Sequence, residues 1–266
     1  FCFLTFHYLC ITGLKFPGVP SSDEPGKIFV LDLNDSRMKP VELRMPRNFD
    51  LETFNPHGIS LYTDPSGKTP DNLMRGCTPV THKSLVNDIL AVGVDSFYAT
   101  NDHYFENQFL QSYVEILLFQ PWVKEVSHGY YFANGINLSP DKRHIYVADL
   151  FDHNVHVLER KEDNTLTRVK TVAVGSLVDN IEVDPETGDL WVGCHPNGWK
   201  ALLFDPNDPA GSEVVRIQNI HSDKPQVTRV YEDDGQVLIG SSVATTYGGK
   251  LLIGTIFHKT LVCDLK

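Results

Sequence analysis

From residue 84 onward the chain is built of short apolar or alternating runs, each closed by a Gly, Pro, Asn or Asp turn. That pattern predicts β-strands joined as hairpins. Asn87-Asp88-Ile89-Leu90-Ala91-Val92 leads through 93–96 into Phe97-Tyr98-Ala99-Thr100. Asn134-Gly135-Ile136-Asn137-Leu138 leads through 139–142 into 145–149, and Asn180-Ile181-Glu182-Val183 leads through 184–189 into 190–193. The Asn heads are 47 and then 46 residues apart, and a weaker copy turns at Tyr247-Gly248-Gly249-Lys250. A repeat of this length made of short strands is the signature of a β-propeller blade. Between the hairpins, 155–158, 168–172, 201–204, 214–217 and 226–231 supply further strands, about four per unit. A β-sandwich with regular hairpins is the alternative, but it has no need of this period. The expected fold is an all-β propeller occupying 1–266 as a single domain.

Upstream the pattern is less regular. Residues 27–33 read as a strand entered through Glu24-Pro25-Gly26, and 54–62 as a short strand headed by His57-Gly58. Residues 66–80 are polar, rich in Pro and Gly, and read as a long loop. In 106–119, Phe109, Leu110, Tyr113, Ile116 and Leu117 recur at helical spacing, which predicts an amphipathic helix. It is either packed on the sheet scaffold or an apolar lid facing lipid or a large substrate.

With 266 residues the chain can bury a large core, and 41% hydrophobic with 21% charged residues is ordinary for a globular protein. A net charge of −11 argues against a nucleic-acid surface and is compatible with holding divalent cations. Cys2, Cys10, Cys77, Cys194 and Cys263 form no CxxC pair, so a thiolate zinc site is not expected. Cys2 or Cys10 paired with Cys263 would tie the chain ends in an oxidising compartment, and an odd count leaves a free thiol. Asn34-Asp35-Ser36 and Asn137-Leu138-Ser139 have the form of glycosylation acceptors, which leans towards secretion. Residues 1–14 are apolar but lack Met and a basic leader, and they are too short and mixed for a membrane span. The chain reads as one that begins in the middle of something.

In a propeller, equivalent positions of the inner strands converge on the axis. Asn87, Asn134 and Asn180 then share a register, flanked by Asp88 and Asp179. Amide and carboxylate oxygens without thiols suit a hard cation, calcium more than magnesium. Any one of these Asn residues alone would read as a turn residue bonding its own backbone. His57 heads the inner strand upstream and is a candidate general base, although a His between Pro and Gly is also a common structural residue. His195, directly after Cys194, is expected to be buried and hydrogen-bonded. No nucleophile elbow, Walker loop, dinucleotide fingerprint or zinc helix is present. Residues 205–211 are acidic but lack calcium-loop spacing and read as a surface turn.

Several strings resemble the paraoxonase/arylesterase family: Phe54-Asn55-Pro56-His57-Gly58-Ile59-Ser60, Val86-Asn87-Asp88-Ile89, Ala133-Asn134-Gly135-Ile136-Asn137, Leu177-Val178-Asp179-Asn180, and Gly188-Asp189-Leu190-Trp191-Val192-Gly193-Cys194-His195-Pro196-Asn197-Gly198. The resemblance implies a six-bladed propeller with two axial calcium ions that hydrolyses lactones, aryl esters and some organophosphates. It implies a secreted or membrane-associated protein, with lipoprotein particles as possible partners. By matched motif, Asn87, Asn134, Asp179 and Asn180 would hold the catalytic calcium. Asp88 and the Ile59 carbonyl would hold the structural one. His57 matches the water-activating histidine, Cys194 the free thiol, and Cys263 one half of an end-closing disulfide.

The departures concern the upstream half. The family's adjacent Glu-Asp calcium pair is absent, residues 1–10 and 65–79 do not match, and His82 is not the second histidine of the dyad. Region 119–130 is also shortened. An incomplete or alternatively spliced product with damaged first blades is expected. Two other functions remain open: a catalytically impaired propeller that binds lipid or lipoprotein, and a gluconolactonase-like metal hydrolase.

Overall fold

The computed structural model describes residues 6–11, 27–32, 35, 37, 39–45, 47, 58–60, 86–93, 96–101, 124–203, 205, 207–256 and 258–265. The chain forms two compact units: Phe1–Ser84 with Ile89–Tyr98, and Leu85–Asp88 with Ala99–Lys266. Nearly all regular structure is strand.

In the first unit β1 (Phe6–Ile11), β2 (Lys27–Asp32) and β3 (Val41–Glu42) make an antiparallel sheet in that order. The strand expected at 27–33 is β2, and its Ile28 is fully buried. Of the strand expected at 54–62, residues 58–60 are described and lie outside any strand. Ser60 Oγ accepts the Ala91 amide at 3.0 Å. The loop at 66–80 and the helix at 106–119 fall outside the described residues.

The hairpin of β4 (Val86–Ala91) and β5 (Phe97–Asn101) is a two-stranded sheet. Its turn end belongs to the first unit, and 85–88 and 99–101 belong to the second.

The second unit is a succession of antiparallel meanders. The first is β6 (Ala133–Leu138), β7 (His144–Asp149), β8 (Asn154–Arg160) and β9 (Leu166–Ala173). The next is β10 (Leu177–Val183), β11 (Leu190–His195), β12 (Ser212–Gln218) and β13 (Gln226–Asp233). Then come β14 (Ser241–Tyr247), β15 (Lys250–Thr255) and β16 (Leu261–Asp264). The first strands β6 and β10 are mostly buried, whereas β9 and β13 are mostly exposed. This inside-to-outside gradation, repeated sheet by sheet, is that of propeller blades.

The turns follow their residues. Gly248 and Gly249 both take positive φ, 55° and 76°, between Tyr247 and Lys250, as a two-residue hairpin turn requires. In the Asp184–Asp189 turn the carboxylate of Asp184 accepts the Glu186 and Thr187 amides at 2.8 and 3.0 Å, an Asx arrangement.

Apolar layers lie between successive sheets. Val155, Val157 and Tyr146 pack with Val178, Ile181, Leu190 and Val192, while Trp191 and Val214 pack with Leu238, Leu251 and Ile253. The strand expected at 201–204 is instead a short helix, α1 (Gly198–Leu203). Asn197 starts it: its side-chain oxygen accepts the Lys200 amide and its carbonyl the Ala201 amide, both at 3.2 Å. An N-cap of this kind outweighs the β propensity of a four-residue apolar run.

Candidate metal centre

Three inner strands of the second unit share one irregularity. In β6, Ala133 faces Asp149 and Ile136 faces Val147, so Asn134 and Gly135 together oppose Ala148. In β10, Val178 faces Cys194 and Ile181 faces Val192, so Asp179 and Asn180 together oppose Gly193. In β14 the extra residue is Ser242. Each is a β-bulge, which bends the strand and re-aims its side chains. The pairing also corrects the register read from sequence. Asn134 corresponds to Asp179, and Asn180 corresponds to Gly135: Asn134 and Asp179 each stand 12 residues before the aromatic of the next strand, Tyr146 and Trp191, whereas Asn180 stands 11 before.

Glycine lets the bulges nest. A Cβ on Gly135 would lie 2.5 Å from the Asn180 Cα, and one on Gly193 would lie 2.2 Å from the Ser242 carbonyl carbon. Neither position has room for a methyl group, so adjacent sheets meet backbone to backbone here.

The polar residues predicted from sequence lie on these strands. Asn87, Asn134 and Asp179 are 4%, 5% and 6% exposed, and Asp88 and Asn180 are half-buried. Thr100 ties β5 to its neighbours: its Oγ1 accepts the Asp88 amide at 3.1 Å and donates to the Asn134 carbonyl. Asp88 Oδ2 accepts the Ile136 amide at 3.0 Å, which binds it to β6. Asp179 is held from two sides, by Asn180 Nδ2 at 3.2 Å and by His195 Nε2 at 3.0 Å. Asn134 Oδ1 is buried with no hydrogen-bond partner, an uncompensated acceptor costing about 1–3 kcal/mol. A buried acceptor left open, among amide and carboxylate oxygens on nested strands, fits a hard divalent cation.

Ile59, half-buried, lies in the first unit. His57 lies outside the described residues. The expectation that His195 is buried and hydrogen-bonded holds. Sequence reading missed that its partner is Asp179. It also missed Glu182, whose carboxyl is pushed up to about 7 by burial and then by the charge of Asp88, against a stabilising hydrogen bond from Asn137. Asn137 Nδ2 reaches the Ile181 carbonyl at 2.9 Å and Glu182 Oε2 at 3.3 Å. In the folded chain that amide bonds to the next sheet. Asn34 lies outside the described residues.

Cys194 is fully buried and unpaired. Burial pushes its thiol well above the usual range, with Glu213 and Asp179 adding to the rise, which disfavours the thiolate. Cys263 is also a free thiol. Of the surface turn expected at 205–211, Asp205, Asn207 and Asp208 are exposed, with Asp205 Oδ1 accepting the Asn207 amide at 2.8 Å, while Ala210 and Gly211 are buried.

The chain matches the profile of the family described as Arylesterase over residues 7–75 and 77–265. It is 50% identical over 289 residues to serum paraoxonase/arylesterase 2 of Gallus gallus, covering 96% of this chain and 81% of the relative. To serum paraoxonase/arylesterase 2 of Homo sapiens it is 48% identical over 288 residues, covering 95% and 81%. A β-propeller domain from Myceliophteria thermophila aligns with 96% of this chain and 88% of its own, at 11% identity and a TM-score of 0.44. At that score the alignment adds nothing to the comparison.

Proposed function

Because this chain belongs to the arylesterase family and is therefore a hydrolase, we propose that it is a calcium-dependent hydrolase of aryl esters, lactones and organophosphate esters. Asn87, Asn134, Asp179 and Asn180 would hold the catalytic calcium, and Asp88 a second, structural one, in a six-bladed propeller. The observation that carries the reading is the open, buried Asn134 oxygen set among oxygen donors on nested bulges. When bound, calcium supplies a fixed positive charge that favours a developing oxyanion. The chain's own part is positioning. His195 and Asn180 fix the Asp179 carboxylate through opposite oxygens, and donating the Asn180 amide nitrogen leaves its carbonyl oxygen available. His57 is proposed to take the proton from water.

The same reading places the protein outside the cell or at a membrane surface, with small esters or lactones as substrates and lipoprotein or membrane as a possible contact. The test is hydrolysis of phenyl acetate and a lactone by the purified chain, with calcium and with chelator, beside thermal stability in both. Turnover that survives chelation, or that Asp179→Ala leaves intact at saturating calcium, would sink the assignment. Calcium-dependent stability without turnover would favour a lipid-binding chain that does not catalyse.

A further inference from the structure

A second cluster sits at the β7–β8 corner of the first complete sheet, where Asp149 faces Ala133 at the start of β6. Asp149 ends β7, Asp152 lies in the connection, and His156 is the third residue of β8. One ligand atom from each lies within 4.8 Å of the others. Asp149 is fully buried and His156 is 2% exposed. Nε2 of His156 is 3.5 Å from Asp149 Oδ2 and 3.9 Å from Asp152 Oδ2. It is buried and has no hydrogen-bond partner.

Each side chain is fixed from behind. His156 Nδ1 bonds Thr171 Oγ1 at 2.9 Å across the β8–β9 pair. Asp149 accepts the Tyr131 and Phe132 amides at 2.9 and 2.8 Å, and Asp152 Oδ2 accepts from Asn154 Nδ2 at 2.6 Å. An imidazole held by its other nitrogen, and carboxylates held by donors of their own, are what surrounds a ligand set. With Nδ1–H donated to Thr171, the Nε2 lone pair faces two carboxylates. In the other tautomer Nε2–H meets Asp149 Oδ2 only at 3.5 Å, a long and weak contact. Neither form satisfies the corner fully.

Nor does a neighbouring cation. Arg168 stacks over Tyr130 at 4.5 Å and donates to the carbonyls of His128 and Gly129.

We propose that Asp149, Asp152 and His156 form a binding site for a borderline divalent cation of the zinc class, separate from the oxygen donors of the inner strands. Metal–ligand bonds of about 2.0–2.2 Å in a tetrahedral array put ligand atoms roughly 3.3–3.6 Å apart; the His156–Asp149 separation of 3.5 Å matches, and the His156–Asp152 separation of 3.9 Å needs only a small inward shift of Asp152. One nitrogen and two carboxylates suit zinc, cobalt or manganese better than calcium. Asp152 is half-buried and opens the fourth position to solvent. Because Asp149 also holds the amides of Tyr131 and Phe132, an ion here would brace the entry to β6, which carries Asn134.

The test is calorimetric titration of zinc chloride into the full chain at saturating calcium, with cobalt(II) absorption as a second probe. One zinc per chain is expected, with intense visible bands for cobalt in a tetrahedral nitrogen–oxygen set. Asp152→Asn and His156→Gln should each weaken zinc by about ten-fold or more, while the stabilisation by calcium is unchanged. Asp152→Asn keeps an acceptor for Asn154 and is the variant that decides if His156→Gln does not fold. Absence of zinc uptake by the unmodified chain, or wild-type affinity in Asp152→Asn, overturns the site.

Discussion

Asn134 concentrates the cost of the proposed site in one atom. Its Oδ1 is buried and open, and under the proposed function that oxygen serves stability only when a cation completes it. Asn134→Ala should therefore shrink the rise in melting temperature on adding calcium to the chelated protein, while lowering the chelated protein's own melting temperature far less. His195 acts on the same centre through Asp179, and His195→Gln should weaken calcium by about ten-fold, the usual cost of losing a partner behind a ligand. Calorimetry measures both. The ligand types were readable in the sequence because Asn and Asp are poor strand residues and stand out at strand heads. Two things were not readable. Glu182 reads as an ordinary alternating polar position, and only packing gives it a buried carboxyl beside Asp88. The His195–Asp179 contact depends on the bulge opposite Gly193, which no count along a hairpin reveals.

At the scale of elements, the bulges impose strict demands on two glycines. Gly135→Ala would drive a methyl group into the Asn180 backbone, and Gly193→Ala into that of Ser242. Backbone cannot swing aside as a side chain does, so each should cost about 1–3 kcal/mol or more, measured by denaturant unfolding, and should weaken calcium binding as well. The hairpins themselves were legible, since Tyr247-Gly248-Gly249-Lys250 and the Asp184–Asp189 turn carry their own conformational instructions. The error at 201–204 has a local cause. Four apolar residues suit a buried strand or one helical turn equally, and the Asn197 cap three residues before Lys200 decides between them.

At the scale of the whole molecule, stability rests on apolar layers between sheets. Leu190 is fully buried between the first and second complete sheets, so Leu190→Ala should cost about 2–5 kcal/mol in the same unfolding measurement. The repeat of 46–47 residues made this layering legible in the second unit. Nothing comparable runs through residues 1–84, where strands are separated by unequal polar stretches and the repeat gives no register. The nested glycines carry one last consequence, for time rather than geometry. Gly135 and Asn180, or Gly193 and Ser242, come together only when whole sheets dock, so no hairpin alone holds the proposed ligand set. Calcium should then bind after the rate-limiting step of folding: it should slow unfolding in proportion to its binding energy and leave the folding rate nearly unchanged. Stopped-flow measurements with and without calcium would read this directly, and an equal acceleration of folding would show that the centre forms early.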